Sequence, residues 1–446
     1  MPSLKNYLKA DKMLIFLTAF ILYLYSYFHL DQIIYGKWLV VFGLLISSYL
    51  IIISRKFKPL CIFFVFAALY QVNLISYYFH GVDISGGFDT FDFIQYYNET
   101  ELIHFLFISS IAFFIPKINH PIYIKDYISY RHSPLIFWTT FLFAAFLIIF
   151  GLRGGGIVES GGYGNIEVET IGGTSLFEYV ICLIPILIVT SKRTLIYKFA
   201  IAFIVIYFCF KGLSFGIRNQ VLQLILMSLA LYDNKALKYY KLILVGIIPL
   251  YIFLIYGAIR VNPFIIFSNN FTDILIEPFN NFTRALLGNQ NDIFYASVRM
   301  LGMVEQGIIS EIERINVLVY NLLAIILPYS FLPPIANLAS YKQNIYGSLG
   351  GGLISMYWYV FMGYSGVIFI AYIIGKIFKT FYKTTNIFLV LYVLMILSTY
   401  PRWFGYNQIS FFKISFFGVI FYYTLLFIEN TIFTIQQPKK ITSDEY

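Results

Sequence analysis

The chain is poor in charge. Only 12% of its 446 residues are Asp, Glu, Lys or Arg, where a soluble domain carries about 25%. That shortage excludes an ordinary soluble globular domain. Cysteine is scarce too. Cys61, Cys182 and Cys209 each lie inside an apolar run with no C-x-x-C spacing, so they read as small core residues rather than a disulfide or metal framework. The five histidines, His29, His80, His104, His120 and His132, are scattered, and none follows His132. No metal site and no cofactor are expected. The glycine-rich stretch Arg153–Gly164 (RGGGIVESGGYG) has no strand before it and no G-K-[ST] after it. It reads as a flexible lid rather than a phosphate-cradling P-loop.

What is present is apolar surface. Hydrophobic residues make up 59% of the chain and aromatics 20%, and mean hydropathy is +0.77. Apolar runs of about 15–20 residues mean an all-α, polytopic integral membrane protein, built as one membrane domain over 1–446. About twelve candidate spans can be drawn, near 12–30, 38–54, 60–79, 101–116, 134–151, 176–190, 199–216, 219–232, 242–259, 353–376, 386–400 and 409–428. The first run has no small-residue cleavage site after it and reads as a retained helix.

The formal charge of +9 is explained by topology rather than by nucleic acid. Lys5, Lys9 and Lys12 precede the first span, and Arg55, Lys56 and Lys58 follow the second. Lys117, Lys125 and Arg131 follow the fourth, and Lys192, Arg193 and Lys198 the sixth. Lys235, Lys238 and Lys241 follow the eighth, and Lys376, Lys379 and Lys383 the tenth. Every second loop is basic, which places those loops and both termini in the cytoplasm. The long segment 260–352 is then external. Its charges fall among apolar residues at the spacing of short amphipathic helices. It is read as a folded, partly helical cap, with the run 317–331 lying in the loop rather than crossing.

The external side carries arginine: Arg153, Arg218, Arg260, Arg284, Arg299, Arg314 and Arg402. Lysine would serve topology equally well. Arginine is preferred where a planar, permanent charge must grip phosphate or carboxylate. Arg218 lies in SFGIRNQ, Arg260 in GAIRVNP and Arg402 in STYPRWFGYNQ, each also readable as an interfacial, snorkelling arginine. Tyr400 and Trp403 beside Arg402 suit sugar stacking, and suit an ordinary aromatic belt equally. Asp292 stands between Arg284 and Arg299, as a general base or as half of a structural ion pair. The GSLGGG run at 347–352 reads either as an anion-approaching helix start or as plain packing.

This layout resembles the Wzy-type oligosaccharide repeat-unit polymerases. The likeness rests on about twelve spans, a large late external loop, the G-x-R segment SFGIRNQVLQLILMSL, the stretch GSLGGGLISMYWYVFMGYSGVIFIAYIIGKIF and a late external arginine. The resemblance implies a GT-C-like fold in the bacterial inner membrane and undecaprenyl-pyrophosphate-linked oligosaccharides as substrates. It also implies a chain-length regulator and a flippase as partners, and neither nucleotide nor metal. Arg218, Arg260 and Arg402 would neutralise the leaving pyrophosphate, and Asp292 would be the base, with Glu305 and Asp273 in reserve. Arg284, Arg299, Arg153, Tyr400 and Trp403 would bind substrate. The related O-antigen ligases depend on a histidine in the large loop, which this chain lacks. A lipid-linked oligosaccharide flippase is the competing class, and predicts repeated halves with loops of similar size. A membrane acyl- or phosphotransferase would need a His or Ser constellation.

Overall fold

The computed structural model describes residues 4–30, 32–81, 94–118, 132–151, 173–192, 194–214, 291–346, 351–381 and 386–436, with the short pieces 221, 224–225, 272–273 and 275–276. Among the described residues the chain is helical and has no strand. The first helices are α1 (Leu4–Tyr27), α2 (Ile33–Ser54), α3 (Lys58–His80), α4 (Tyr97–Phe114) and α5 (Pro134–Phe150). Then come α6 (Gly173–Glu178), α7 (Val180–Thr190) and α8 (Leu195–Ser214). After the undescribed stretch follow α9 (Asn291–Glu305), α10 (Glu311–Leu323) and α11 (Leu338–Tyr346). The chain ends with α12 (Ile354–Phe381), α13 (Ile387–Ser398), α14 (Tyr400–Gly405) and α15 (Ser410–Gln436).

Four helices are long and apolar enough to cross a membrane, over Ile33–Ser54, Leu195–Leu213, Ile354–Phe381 and Ser410–Ile432, and shorter apolar helices accompany them. Their outward faces are dry. Leu142, Phe146 and Phe150 on α5, and Phe199, Phe203, Ile206 and Phe210 on α8, are exposed at helical spacing. Such surface is at home in lipid rather than water. Ten of the twelve apolar runs drawn from the sequence fall on described helices. The runs near 219–232 and 242–259 lie almost wholly outside the described residues.

The helices pack in two groups. α2 packs against α3 and α4, and α4 against α1 and α12. In the second group α5 packs on α7 and α8, and α13 on α15. α13, which touches α12, α3 and α7, joins the two. The helix starts are signalled locally. Ser133 caps α5 by accepting from the Ile136 N–H, with Pro134 just inside, and Asn386 caps α13 by accepting from Phe388. Ser310 and Glu313 form a reciprocal capping box that opens α10.

One run that reads as a single span is broken. At Gly363 the backbone of α12 turns to φ 65°, ψ −154°, a conformation open to glycine and costly for other residues. A break inside a helix frees carbonyls that must find other donors. Here Arg314 of α10 supplies them. Its Nε donates to the Val360 carbonyl at 2.8 Å and an Nη to that of Tyr359 at 2.7 Å. The half-helix before the break is buried on all sides from Ile354 to Phe361. As a helix α10 has two faces. Arg314, Val317 and Asn321 turn inward, while Ile312, Ile315, Val319, Leu322 and Ile326 just beyond its end are exposed.

Candidate functional site

The polar groups gather at one end of the bundle, where α9, α10 and α11 cover α3, α4 and α12. α9 carries the centre. Its residues from Ile293 to Leu301 are buried, while Asp292 in its first turn is exposed. A carboxylate there gains from the partial positive charge of the helix start. Tyr70 of α3 and Lys342 of α11 lie within electrostatic reach of Asp292.

Lys342 is wholly buried. Its ammonium donates to the Ala296 carbonyl at 3.3 Å and the Gly351 carbonyl at 3.1 Å. Burial, and then the charge of Arg299, hold its pKa well below the ordinary lysine range, while Asp292 acts in the opposite sense. Arg299 is also fully buried. Its Nη atoms donate to the Tyr346 carbonyl at 3.3 Å and the Tyr295 hydroxyl at 3.4 Å. The guanidinium lies 4.7 Å from the Tyr295 ring centroid and 5.9 Å from that of Tyr346. The Tyr346 hydroxyl donates to Gln306 at 2.9 Å, and burial pushes its pKa up to about 12. Arg299, expected to bind substrate, is enclosed by protein and ties α9 to α11.

The glycine-rich exit serves packing at its described residues. Gly351 and Gly352 have φ of 97° and 154°. A Cβ on Gly352 would meet Met300 Sδ at 2.8 Å, and one on Gly351 the Tyr406 backbone at 3.1 Å. The Gly352 N–H donates to the Gly405 carbonyl at 3.3 Å and the Leu353 N–H to Ser297 Oγ at 2.7 Å. These two donors are therefore occupied within the protein.

Across that contact lies Arg402, on α14. Its Nε pairs with Glu178 at 3.2 Å; the Glu178 side chain is 5% exposed and that of Arg402 30%. The Tyr406 ring centroid is 6.0 Å from the guanidinium, and Tyr329 and Tyr357 feel its charge. Burial pushes the Tyr329 pKa up to about 12, against the lowering effect of Asn407 and Arg402. Tyr70 links the two halves, because it senses both Tyr406 and Asp292.

Tyr400 and Trp403, expected to stack on sugar, are core residues instead. Both are buried, the Trp403 Nε1 donates to the Ile396 carbonyl at 2.9 Å, and Phe63 and Phe411 pack on the indole. Their ring faces are occupied by protein. Arg153, Arg218, Arg260 and Arg284 lie outside the described residues. Glu305, a reserve base, is exposed at the far end of α9, near Glu99. Sequence reasoning missed Lys342 and Glu178. Glu178 carried a readable signal, an acid inside the apolar run 176–190. Lys342, in the polar stretch ASYKQN, carried none. No family model, curated protein or solved structure matches the chain.

Proposed function

We propose that the protein is a polymerase that joins lipid-linked oligosaccharide repeat units at the external leaflet of the bacterial inner membrane. In this reading it crosses the membrane about twelve times, both termini are cytoplasmic, and the 260–352 segment is a periplasmic cap. Donor and acceptor are undecaprenyl-pyrophosphate-linked oligosaccharides. A hydroxyl of the incoming unit attacks the anomeric carbon of the growing chain. The bond from that carbon to the pyrophosphate oxygen breaks, and the lipid pyrophosphate leaves with the electron pair. The hydroxyl proton passes to a base, which we assign to Asp292. Arg402 stabilises charge on the leaving pyrophosphate, with Arg218 and Arg260 as further candidates. Lys342 behind Asp292 is a positioning residue.

One observation carries the reading. An exposed carboxylate and a partly exposed guanidinium stand at the same end of an apolar bundle, linked through Tyr70, Tyr406 and the Gly352–Gly405 hydrogen bond. The testing experiment is the surface polysaccharide of a deletion strain, resolved on a gel. Single repeat units on lipid A core, with the long ladder lost, support polymerase. Loss of all units with lipid-linked repeats retained in the inner leaflet would make the protein a flippase. An unchanged ladder would overturn both readings.

A further inference from the structure

A second polar cluster lies inside the bundle, and the transfer reaction does not use it. Glu101 sits in the second turn of α4 and has no exposed surface. Gln71 of α3, also without exposed surface, lies beside it. One turn further along α4, His104 is 1% exposed, and its Nδ1 lies 3.5 Å from Ser355 Oγ of α12. Residues three apart share a helix face. Both carboxylate oxygens of Glu101, both polar atoms of the Gln71 amide and the His104 Nε2 have no hydrogen-bond partner in the protein among the described residues. Five buried polar atoms in adjoining side chains amount to unfilled capacity. Gly43 of α2 makes the arrangement possible, since a Cβ there would meet the Gln71 amide carbon at 2.9 Å.

A bare carboxylate inside an apolar bundle is costly, so it is neutralised by whatever reaches it. Among the described residues, the charged groups on the surrounding helices are engaged elsewhere or exposed. Lys12 of α1 donates to the Phe113 and Ile115 carbonyls at the opposite end of α4. Lys37 of α2 lies over the Phe79 ring. Tyr359 and Tyr364 of α12 donate to Glu99. On α9, Arg299 is held by Tyr295 and Tyr346, Asp292 is exposed beside Lys342, and Glu305 is exposed. On α3 the neighbour is Tyr78, whose hydroxyl donates to Asn98 at 3.0 Å. Three described oxygens, two from Glu101 and one from Gln71, are too few for an alkali or alkaline-earth ion, which takes about six or more. An imidazole alongside suits a proton better.

We infer that Glu101, Gln71 and His104 form an internal proton-binding site. A hydronium ion delivers the proton, an O–H bond forms on Glu101, and the carrier leaves as water. His104 is the next acceptor along α4. This site is independent of the transfer reaction and stands if that assignment fails.

The test is infrared difference spectroscopy of the full chain, reconstituted in phosphatidylethanolamine and phosphatidylglycerol vesicles, as pH is stepped. The expected result is a band of a buried carboxylic acid that shifts in D2O and is absent from E101Q. H104N should displace the pH midpoint of that band by about one unit, a tenfold change in proton affinity. Identical spectra for wild type and E101Q would overturn the proposal. So would loss of the band on adding sodium at fixed pH, which would make this a cation site. If E101Q fails to fold, an unmoved midpoint in H104N overturns the pairing by itself.

Discussion

Arg314→Met is the substitution that most directly tests how the cap is joined to the bundle. It keeps an unbranched side chain and removes the guanidinium. Two charge-assisted hydrogen bonds are lost, to Val360 at 2.8 Å and Tyr359 at 2.7 Å. Bonds to a charged group contribute about 1.5–3 kcal/mol each, so the pair contributes about 3–6 kcal/mol. Releasing the ordered arginine returns about 2 kcal/mol of side-chain entropy. The net loss is about 1–4 kcal/mol, concentrated at the break in α12. The Glu311 pair adds little, because that carboxylate is 83% exposed. Hydrogen exchange should therefore quicken about 5- to 700-fold over residues 354–362 (a tenfold change being about 1.4 kcal/mol), with α13 and α15 unchanged. Glu311→Gln should leave these rates within about twofold. Unchanged exchange over 354–362 in Arg314→Met would refute the reasoning, as would equal effects from both variants.

Arg402→Ala should abolish chain extension and lower protein level, because it removes the ion-pair partner of the buried Glu178 carboxylate. Breaking a fully buried pair costs about 3–5 kcal/mol, and less here, where Arg402 is 30% exposed. Adding Glu178→Gln should restore the level, measured by immunoblot, and leave the polysaccharide ladder absent. Gly351→Ala should destabilise by about 1–3 kcal/mol, since it forces a φ of 97° on alanine against the Tyr406 backbone; thermal unfolding in lipid nanodiscs reads this. The Glu313 carboxyl is held below its usual range by the Ser310 N–H and hydroxyl. A depressed carboxyl contributes stability that is complete above the unfolded pKa and is lost as pH falls through the folded one. Protection of the first turn of α10 should therefore fall on acidification below the ordinary glutamate range, and Glu313→Gln should flatten that dependence.

The helices were largely legible. Apolar runs near 38–54, 60–79 and 134–151 fall on α2, α3 and α5, because length and hydropathy are local properties. The amphipathic spacing of the 260–352 segment reappears as α9 and α10 for the same reason. The break at Gly363 was not legible. Hydropathy sees an unbroken apolar stretch from 353 to 376, and a positive φ leaves no mark in composition. The candidate site of the proposed function was half legible: Asp292 and Arg402 stand out by charge type, but their partners do not. Glu178 lies more than two hundred positions before Arg402, and only folding brings them together. Tyr400 and Trp403 read either way in the sequence, because a packed aromatic and a sugar platform have the same letters. What separates them is the Phe63 and Phe411 rings that pack on Trp403.

The dry stripe of α10 makes the cap a float. A helix with Ile312, Ile315, Val319 and Leu322 on its outer side and Arg314 on its inner side rides where acyl chains meet headgroups. In the function proposed above, the bilayer sets the height of that helix, and Arg314 passes it to the half-helix of α12. The proposed site then has a draught, like a hull. In that reading, lipids of shorter chain length lower the waterline against the fixed spans, and the cap follows it down.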